Sequence, residues 1–322
     1  MRQSDSEKIQ LSGQLAPEQA GQRLDQAAAV VFDQFSRSRL QGWIKAGQLT
    51  VNGVPGKPRD KVLGNEVLAL DAELAVEVDD APQAMDLPVV YEDDSLLVIN
   101  KPAGLVVHPA AGHHDGTLLN GLLHHAPSLE HLPRAGIVHR LDRDTTGLMV
   151  VAKTLEAHND LVAQLQEKSV FREYDAVVVG VMTGGGTVDA PIGRHARDRK
   201  RMAVTDSGKP AVTHYRLAER FRGHTHIHVR LETGRTHQIR VHMAHVRYPL
   251  VGDPAYGGRM KFPAGASQSL RDALQAFPRQ ALHARRLGLV HPVSGEEMVF
   301  EAPLPADMQS LLNTLRTDAA DA

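Results

Sequence analysis

The chain has 322 residues, 42% of them hydrophobic, and it contains no cysteine. That length leaves room for two domains with real cores, and the missing thiols exclude disulfides, zinc knuckles, iron–sulfur centres and cysteine nucleophiles. The formal net charge of −2 hides an uneven distribution: residues 71–100 hold nine Asp or Glu and no Lys or Arg, so the rest carries +7, 36 basic against 29 acidic.

The opening residues, MRQSDSEKIQLSG, are polar and lack the apolar stretch of a signal peptide. No segment reaches the apolar length that a bilayer demands, so no membrane contact is expected and the location is expected to be cytoplasmic. Residues 1–20 read as a flexible N-terminus. From residue 21 a small module is expected to extend to residue 72. Leu24, Ala27, Ala28 and Val31 fall at helical spacing, and a second helix carries Leu40, Trp43 and Ile44, with Ser36 or Ser38 as cap and Gly47 as stop. QLTVNGV then runs as a strand into Asn52–Gly53, a hairpin signal, and NEVLAL is the returning strand. The acidic stretch 73–88, with Pro82 and Pro88, is expected to be a linker.

A larger domain is expected over 89–315, followed by a tail at 316–322. Strands are expected at PVVYED and LLVINK, then a helix capped by Thr154 that buries Leu161, Val162 and Leu165. EYDAVVVGVM, AVTHYRLAERF and THIHVRLETG read as strands, and RTHQIRVHMAHV as a helix with Thr236 as its cap. HARRLGLVHP, EEMVFEAPLP and a short last helix complete the chain. Many strands with few helices imply an α+β fold, a mixed and largely antiparallel sheet with helices packed on it.

Several familiar sites are absent from the sequence. There is no phosphate-binding P-loop, no glycine-rich dinucleotide turn opening a helix and no G-x-S-x-G elbow. Eighteen histidines invite a metal. Yet His242 and His245 have no third ligand placed by spacing, and His224, His226 and His228 alternate along a strand as a half-exposed face would. Three concentrations of polar function remain: the loop in GIVHRLDRDTTGLMVVAKT (136–154), Tyr174 behind FRE, and GRTHQIR (234–240). Singly they read as a surface ion cluster, a core-edge tyrosine and a capped basic helix.

In this order they resemble something more specific. HRLDRDTTGLMVVAK (139–153), REYDAVVVG (172–180) and LETGRTHQIRVHMAHVRYPLVGDPAYGG (231–258) are similar to the signature segments of the RluA/RluD family of pseudouridine synthases, and VINKPAGLVVHP (98–109) resembles that family's first motif. The N-terminal module resembles an S4-like RNA-binding domain. The resemblance spans about residues 20–310. It implies a cofactor-free isomerase, with no metal, that detaches uracil from ribose, rotates it and rejoins it through a ring carbon. The implied partner is 23S ribosomal RNA or a large-subunit assembly intermediate, the wording lying nearest the type that modifies the helix-69 stem-loop; a monomer is expected.

The same resemblance assigns residues. Cleaving a nucleobase–sugar bond builds positive charge at the anomeric carbon. Asp142 is the expected catalytic carboxylate, open either to attack that carbon or to take the neighbouring sugar proton. Such a carboxylate must be ionised, and a nearby cation favours the charged form; the resemblance gives that part to Arg240. Tyr174 would stack on the uracil face and its hydroxyl would help move the ring proton. Arg140 would fill the gap left by the extruded uridine, and Ile239 would form the opposite wall. His139, Arg235 and His237 are further expected RNA or substrate contacts. Thr145 is expected to bind and, with Arg143 and Asp144, to shape the loop. RHARDRKR (194–201) is expected to touch phosphates, and Arg37, Arg39 and Lys45 to grip an RNA hairpin. Three alternatives stay open: the same chemistry at another ribosomal or transfer RNA site, a non-catalytic RNA-binding protein, and a metal-dependent hydrolase built on His242, His245 and Asp142.

Overall fold

The structure, a computed structural model, describes residues 7–33, 35, 37–74, 81–109, 115–198 and 201–320. The chain folds as two compact units, Met1–Val78 and Asp79–Ala322.

The first unit holds β1 (Glu7–Gln14), α1 (Leu24–Val31), α2 (Arg37–Lys45), β2 (Leu49–Val51), β3 (Val54–Pro55) and β4 (Val67–Leu74). Its strands form one sheet in the order β1-β4-β2-β3. Leu24, Ala27, Ala28, Leu40, Trp43 and Ile44 of the two helices pack with Leu49, Leu68 and Leu70 of the sheet, so the expected helical spacing does face a core. Asn52 and Gly53 both take positive φ, 49° and 79°, the backbone that the two-residue hairpin between β2 and β3 requires. The expectation of a flexible stretch over residues 1–20 is corrected for residues 7–20, and residues 1–6 lie outside the described residues. β1 pairs with β4 along its whole length, from Glu7 opposite Leu74 to Gln14 opposite Val67, and Ile9 and Leu11 pack on the core. Ser36 and the side chain of Ser38, the expected caps, lie outside the described residues.

The second unit is built on a nine-stranded sheet. Its strands are β5 (Val89–Glu92), β6 (Leu96–Lys101), β7 (Thr146–Ala152), β8 (Phe171–Val179), β9 (Gly186–Asp189), β12 (Val212–Arg220), β13 (His224–Leu231), β14 (Leu282–Val290) and β15 (Glu297–Glu301), while β10 (Ile192–Arg194) and β11 (Met202–Val204) form a separate hairpin. The order is β5-β6-β7-β14-β8-β13-β12-β9, with β15 on β14; only the β7–β14 pairing is parallel. Helices α3 (Leu118–His125) and α5 (Gln238–His245) contribute to the core on one face, with Tyr174, Ala176 and Val178 of β8. On the other face, α4 (Leu155–Gln166) packs on Leu96, Val98, Leu148 and Val150, and α6 (Gln268–Ala276) and α7 (Ala306–Ala320) close over Val177. Burial on both faces explains why β6 and β7 read as nearly continuous apolar runs.

Three local expectations change. The short last helix with a tail from 316 is instead the 15-residue α7, anchored by buried Leu311, Leu312 and Leu315 and by Asp318, whose Oδ1 accepts the Ser267 N–H at 2.7 Å. The second half of the expected linker is tied down: the Gln83 N–H donates to the Asn120 carbonyl and Asn120 Nδ2 to Ala81, while Leu87 is buried. Residues 75–80 of that linker lie outside the described residues. Thr236 does not cap α5. His237 occupies the N-cap position in a left-handed conformation, and Gln238 reaches back to accept the Arg235 N–H and the Thr233 hydroxyl. Thr154 does cap α4, accepting the Ala157 N–H at 3.1 Å.

Gly147, just past the Asp142 loop, has φ 114° and lies where an added Cβ would run into the Ala284 backbone of β14. Gly147→Ala is expected to destabilise the fold by about 3 kcal/mol or more, combining left-handed strain with a clash that separates β7 from β14. Chemical unfolding measures it; a loss below about 1 kcal/mol would show that the two strands part easily.

Candidate active site

The loop from His139 to Thr145 enters β7, and four contacts hold it in place. His139 Nε2 accepts the Val150 N–H at 3.1 Å. Burial and the charge of Arg172 depress the His139 pKa to about 3, so the ring is neutral with its proton on Nδ1. Lys101, fully buried at the end of β6, spends its three ammonium protons on the carbonyls of Pro102, Leu105 and Arg143 at 2.8, 3.0 and 2.8 Å. Arg279 Nη1 donates to the Asp144 carbonyl and Gln280 Nε2 to the Thr145 hydroxyl. Thr145, expected as a substrate contact, is thus buried and committed to holding the loop.

The carboxylate this loop presents is Asp142, 15% exposed at its side chain. Arg240 Nη1 donates to its Oδ2 at 2.9 Å across 98 residues of sequence. Arg240 is itself clamped from behind: Nε and Nη2 donate to the two oxygens of Asp253 at 2.7 and 2.9 Å, the bidentate geometry that fixes a guanidinium plane. Asp253 in turn accepts the N–H groups of Ala255 and Tyr256. Burial alone would lower the Arg240 pKa, but hydrogen bonds to Asp253 and the charge of Asp142 outweigh it and raise it, so the cation is permanent. Burial would likewise raise Asp253, and the Arg240 hydrogen bonds reverse that, leaving its pKa below the usual carboxylate range.

His237 sits beside the pair, its Nε2 3.9 Å from Asp142 Oδ1, beyond hydrogen-bond length. Burial lowers its pKa, and its Nδ1 lies 2.8 Å from the Tyr256 hydroxyl, which also accepts the Met202 N–H. The Tyr256 hydroxyl thereby fixes the ring with Nε2 on the side of Asp142.

Asp142, His237 and Arg240 line a cleft of about 810 Å³ together with Arg140, Arg172, Tyr174, Arg235 and Ile239, large enough for a nucleoside with its flanking phosphates. Tyr174 is buried with its ring in the core and its hydroxyl free of any hydrogen bond among the described residues; burial raises its pKa, so the hydroxyl is protonated at neutral pH. Ile239 packs in the same core. Arg140 is exposed, and no hydrogen bond or ion pair holds it among the described residues. Arg235 donates through Nε to the Pro210 carbonyl, which leaves its two terminal nitrogens for a ligand.

Other expected contacts fare differently. Arg37 is ion-paired at 2.7 Å with Asp25, a fully buried carboxylate that Arg23 and Gln41 also contact. Lys45 is exposed at the end of α2, and Arg39 lies on the same helix. In the 194–201 loop, His195 Nδ1 accepts the N–H groups of Arg197 and Asp198, and Arg201 stacks 5.0 Å from the Tyr256 ring; Arg199 and Lys200 lie outside the described residues.

A hydrolase built on His242 is overturned by its hydrogen bonds. Gln238 Nε2 donates to the Thr213 hydroxyl, which donates to His242 Nδ1, and Nε2–H donates to the Ala190 carbonyl, so neither ring nitrogen is left for a metal. Asp175, His226 and His228 do cluster with ligand-type atoms within 4.8 Å of one another. They lie on the sheet face opposite Tyr174, since Tyr174 and Asp175 are adjacent in β8. There Arg285 already supplies the cation, 3.6 Å from Asp175 and 3.0 Å from His228 Nδ1.

The residues that hold Asp142 and Arg240 in place, Lys101, Gln238, Asp253 and Tyr256, escape motif reading because nothing in their spacing marks burial. Only their position inside the quoted segments singles them out.

The site joins a carboxylate held by a twice-anchored arginine to a cleft lined by Tyr174 and Ile239, on a mixed sheet. Residues 95–245 match the RNA pseudouridylate synthase family. The chain is 62% identical over 313 residues to the ribosomal large subunit pseudouridine synthase D of Pseudomonas aeruginosa, covering 97% of this chain and 98% of that one. Against the protein of the same name from Escherichia coli K12 it is 56% identical over 314 residues, 97% and 96% of the two chains. The solved structure of human RNA pseudouridylate synthase domain containing 4 superimposes with a TM-score of 0.57 at 27% identity, over 71% of this chain and 92% of the other. The chain belongs to the RNA pseudouridylate synthase family and is an isomerase of that class. Among the described residues, no helix is long and apolar enough to cross a membrane.

Proposed function

We propose that this protein isomerises uridines in large-subunit ribosomal RNA, in the cytoplasm and without a cofactor, with Asp142 as the catalytic carboxylate. The observation that carries the reading is the chain Asp142–Arg240–Asp253, which holds one carboxylate oxygen of Asp142 and leaves the other, 3.9 Å from His237 Nε2, without a hydrogen bond among the described residues. The relatives' names supply the substrate class, and the helix-69 stem-loop is the proposed target. Asp142 acts on the ribose either at the anomeric carbon or on the adjacent sugar proton. Tyr174 stacks on the detached uracil, Ile239 backs it, and the N-terminal module, through Arg39 and Lys45, steadies the RNA hairpin. Arg37 serves there mainly as the partner of Asp25.

Mapping pseudouridines in ribosomal RNA from cells lacking the gene tests the activity and the target together. Loss of specific sites, restored by the intact gene but not by Asp142→Asn, is the expected result; an unchanged map overturns it. Arg140, exposed on the catalytic loop, is positioned to replace the extruded base in the stack. Arg140→Ala is expected to slow modification about ten- to hundredfold, a fraction of the few kcal/mol that unstacking requires, with the unfolding midpoint unchanged. A parallel loss of stability would make the side chain structural.

A further inference from the structure

Two residues before Tyr174, on the same face of β8, lies a second arginine of the cleft whose charge has no counterion. Arg172 is 6% exposed. No ion pair reaches it among the described residues. Nη2 makes one long hydrogen bond, 3.3 Å to the Glu232 carbonyl, while Nε is buried without any partner. The Glu232 carboxylate is turned away, to Lys168 and His214. Gly234 lets the guanidinium lie close: an added Cβ there would come within 2.8 Å of Nη1. A buried guanidinium with so few acceptors is expensive unless something negative joins it, and His139 and Tyr174, the neighbours that share its field, offer no negative charge at neutral pH.

We propose that Arg172 is the binding site for the uracil anion formed during the reaction, and that Gly234 exists to let it approach. The inference rests on the proposed function. When the C1′–N1 bond breaks, its electron pair stays on N1 and delocalises onto the ring carbonyl oxygens; the sugar is left bonded to Asp142 or, having given that residue a proton, as a glycal. On rejoining, C5 supplies a pair to C1′ as the Asp142–C1′ bond breaks or, from the glycal, as C2′ takes its proton back from Asp142; the C5 proton departs to a base and N1 takes up a proton, so no oxidant or reductant is needed. The anion exists only between these events, stacked on Tyr174, and a cation two residues along the same strand face reaches its edge. Because the free uridine is neutral, the interaction strengthens as the bond breaks, which is the condition for rate acceleration. Arg235, more exposed, is placed for a backbone phosphate instead, and Arg140 for the gap that the extruded base leaves.

The test uses the full chain and an in vitro transcript of the large-subunit ribosomal RNA, made with uridine or with 5-fluorouridine, whose ring anion is more stable and leaves more readily; because fluorine stands where the departing C5 proton would be, the rate read on both transcripts is that of N-glycosidic bond breakage at the target. Arg172→Gln is expected to lower the single-turnover rate at saturating uridine transcript by about 100-fold, within the range for losing one preorganised electrostatic contact. RNA affinity should stay unchanged, and the deficit should shrink severalfold on the fluorinated transcript. Arg172→Lys, which keeps the charge, should recover part of the rate. Gly234→Ala, which displaces the guanidinium without removing it, should give the same pattern more weakly and serves if the glutamine variant does not fold. An equal deficit on both transcripts, or no deficit, overturns the proposal. A loss confined to RNA affinity assigns Arg172 to a phosphate and overturns it as well. Wild-type protein that leaves the uridine transcript unmodified counts against the parent reading, before any variant is compared.

Discussion

Asp142→Asn is expected to abolish pseudouridine formation, by at least about 10³-fold, while the protein folds and holds RNA as before. The two halves of that expectation come from different parts of the structure. The loop's position is set by backbone contacts: Lys101 to the Arg143 carbonyl, Arg279 to the Asp144 carbonyl, His139 to the Val150 N–H. None involves the Asp142 carboxylate, so the amide takes up the same place. Arg240 keeps its bidentate pair with Asp253 and still finds an oxygen at residue 142. What the amide lacks is a negative charge, and neither route to bond cleavage proceeds without one. Single-turnover conversion of the transcript, run beside a binding titration, measures both. Activity within about tenfold of the parent would remove Asp142 from the chemistry; lost activity together with collapsed RNA affinity would make it a binding residue.

What could be read from the sequence follows the range of the interactions involved. Motifs carry residues whose chemistry is local: Asp142 on its loop, the αL Asn52–Gly53 turn, Thr154 before an amphipathic run. Asp142 and Arg240 are 98 residues apart, and only the family resemblance joins them in advance; the 2.9 Å contact is a tertiary fact. β1 is illegible for the same reason. Ile9 and Leu11 alternate properly for a strand, but the partner that makes them one, β4, begins 53 residues after β1 ends. Nothing in VINKPAG marks Lys101 as buried; it is fully so because the carbonyls of Pro102 and Leu105, just after β6, and of Arg143 in the catalytic loop converge on it. α3 is another case altogether. Thr117 with Asn120 forms a capping box, and Leu118, Leu119, Leu122 and Leu123 follow at helical spacing, so its signal is local and present in full, and its absence from the expected elements has no physical cause.

Arg240→Met is expected to inactivate the enzyme and, unlike Asp142→Asn, to damage the fold, by about 3–5 kcal/mol at neutral pH, since it leaves a carboxylate buried without its counterion. Asp253 has no exposed side-chain surface. Its two backbone donors remain in the variant, but the guanidinium that reverses the burial effect does not. The pH dependence distinguishes this account from a simple packing defect. In the native chain Asp253 titrates below its unfolded value, so its contribution is present above the unfolded pKa and is lost as pH falls through the lower, folded one. In the variant burial dominates and the folded pKa rises above the unfolded value. The ionised orphan is then penalised at neutral pH, and acid relieves it by protonation. The stability gap between the two proteins is therefore largest near about pH 7 and narrows toward about pH 4, whereas a cavity would give a gap that does not change with pH. Urea unfolding across that range reads the gap directly. A gap that stays constant with pH would mean that the methionine substitution harms packing alone, and that Asp253 does not depend on Arg240 for its charge.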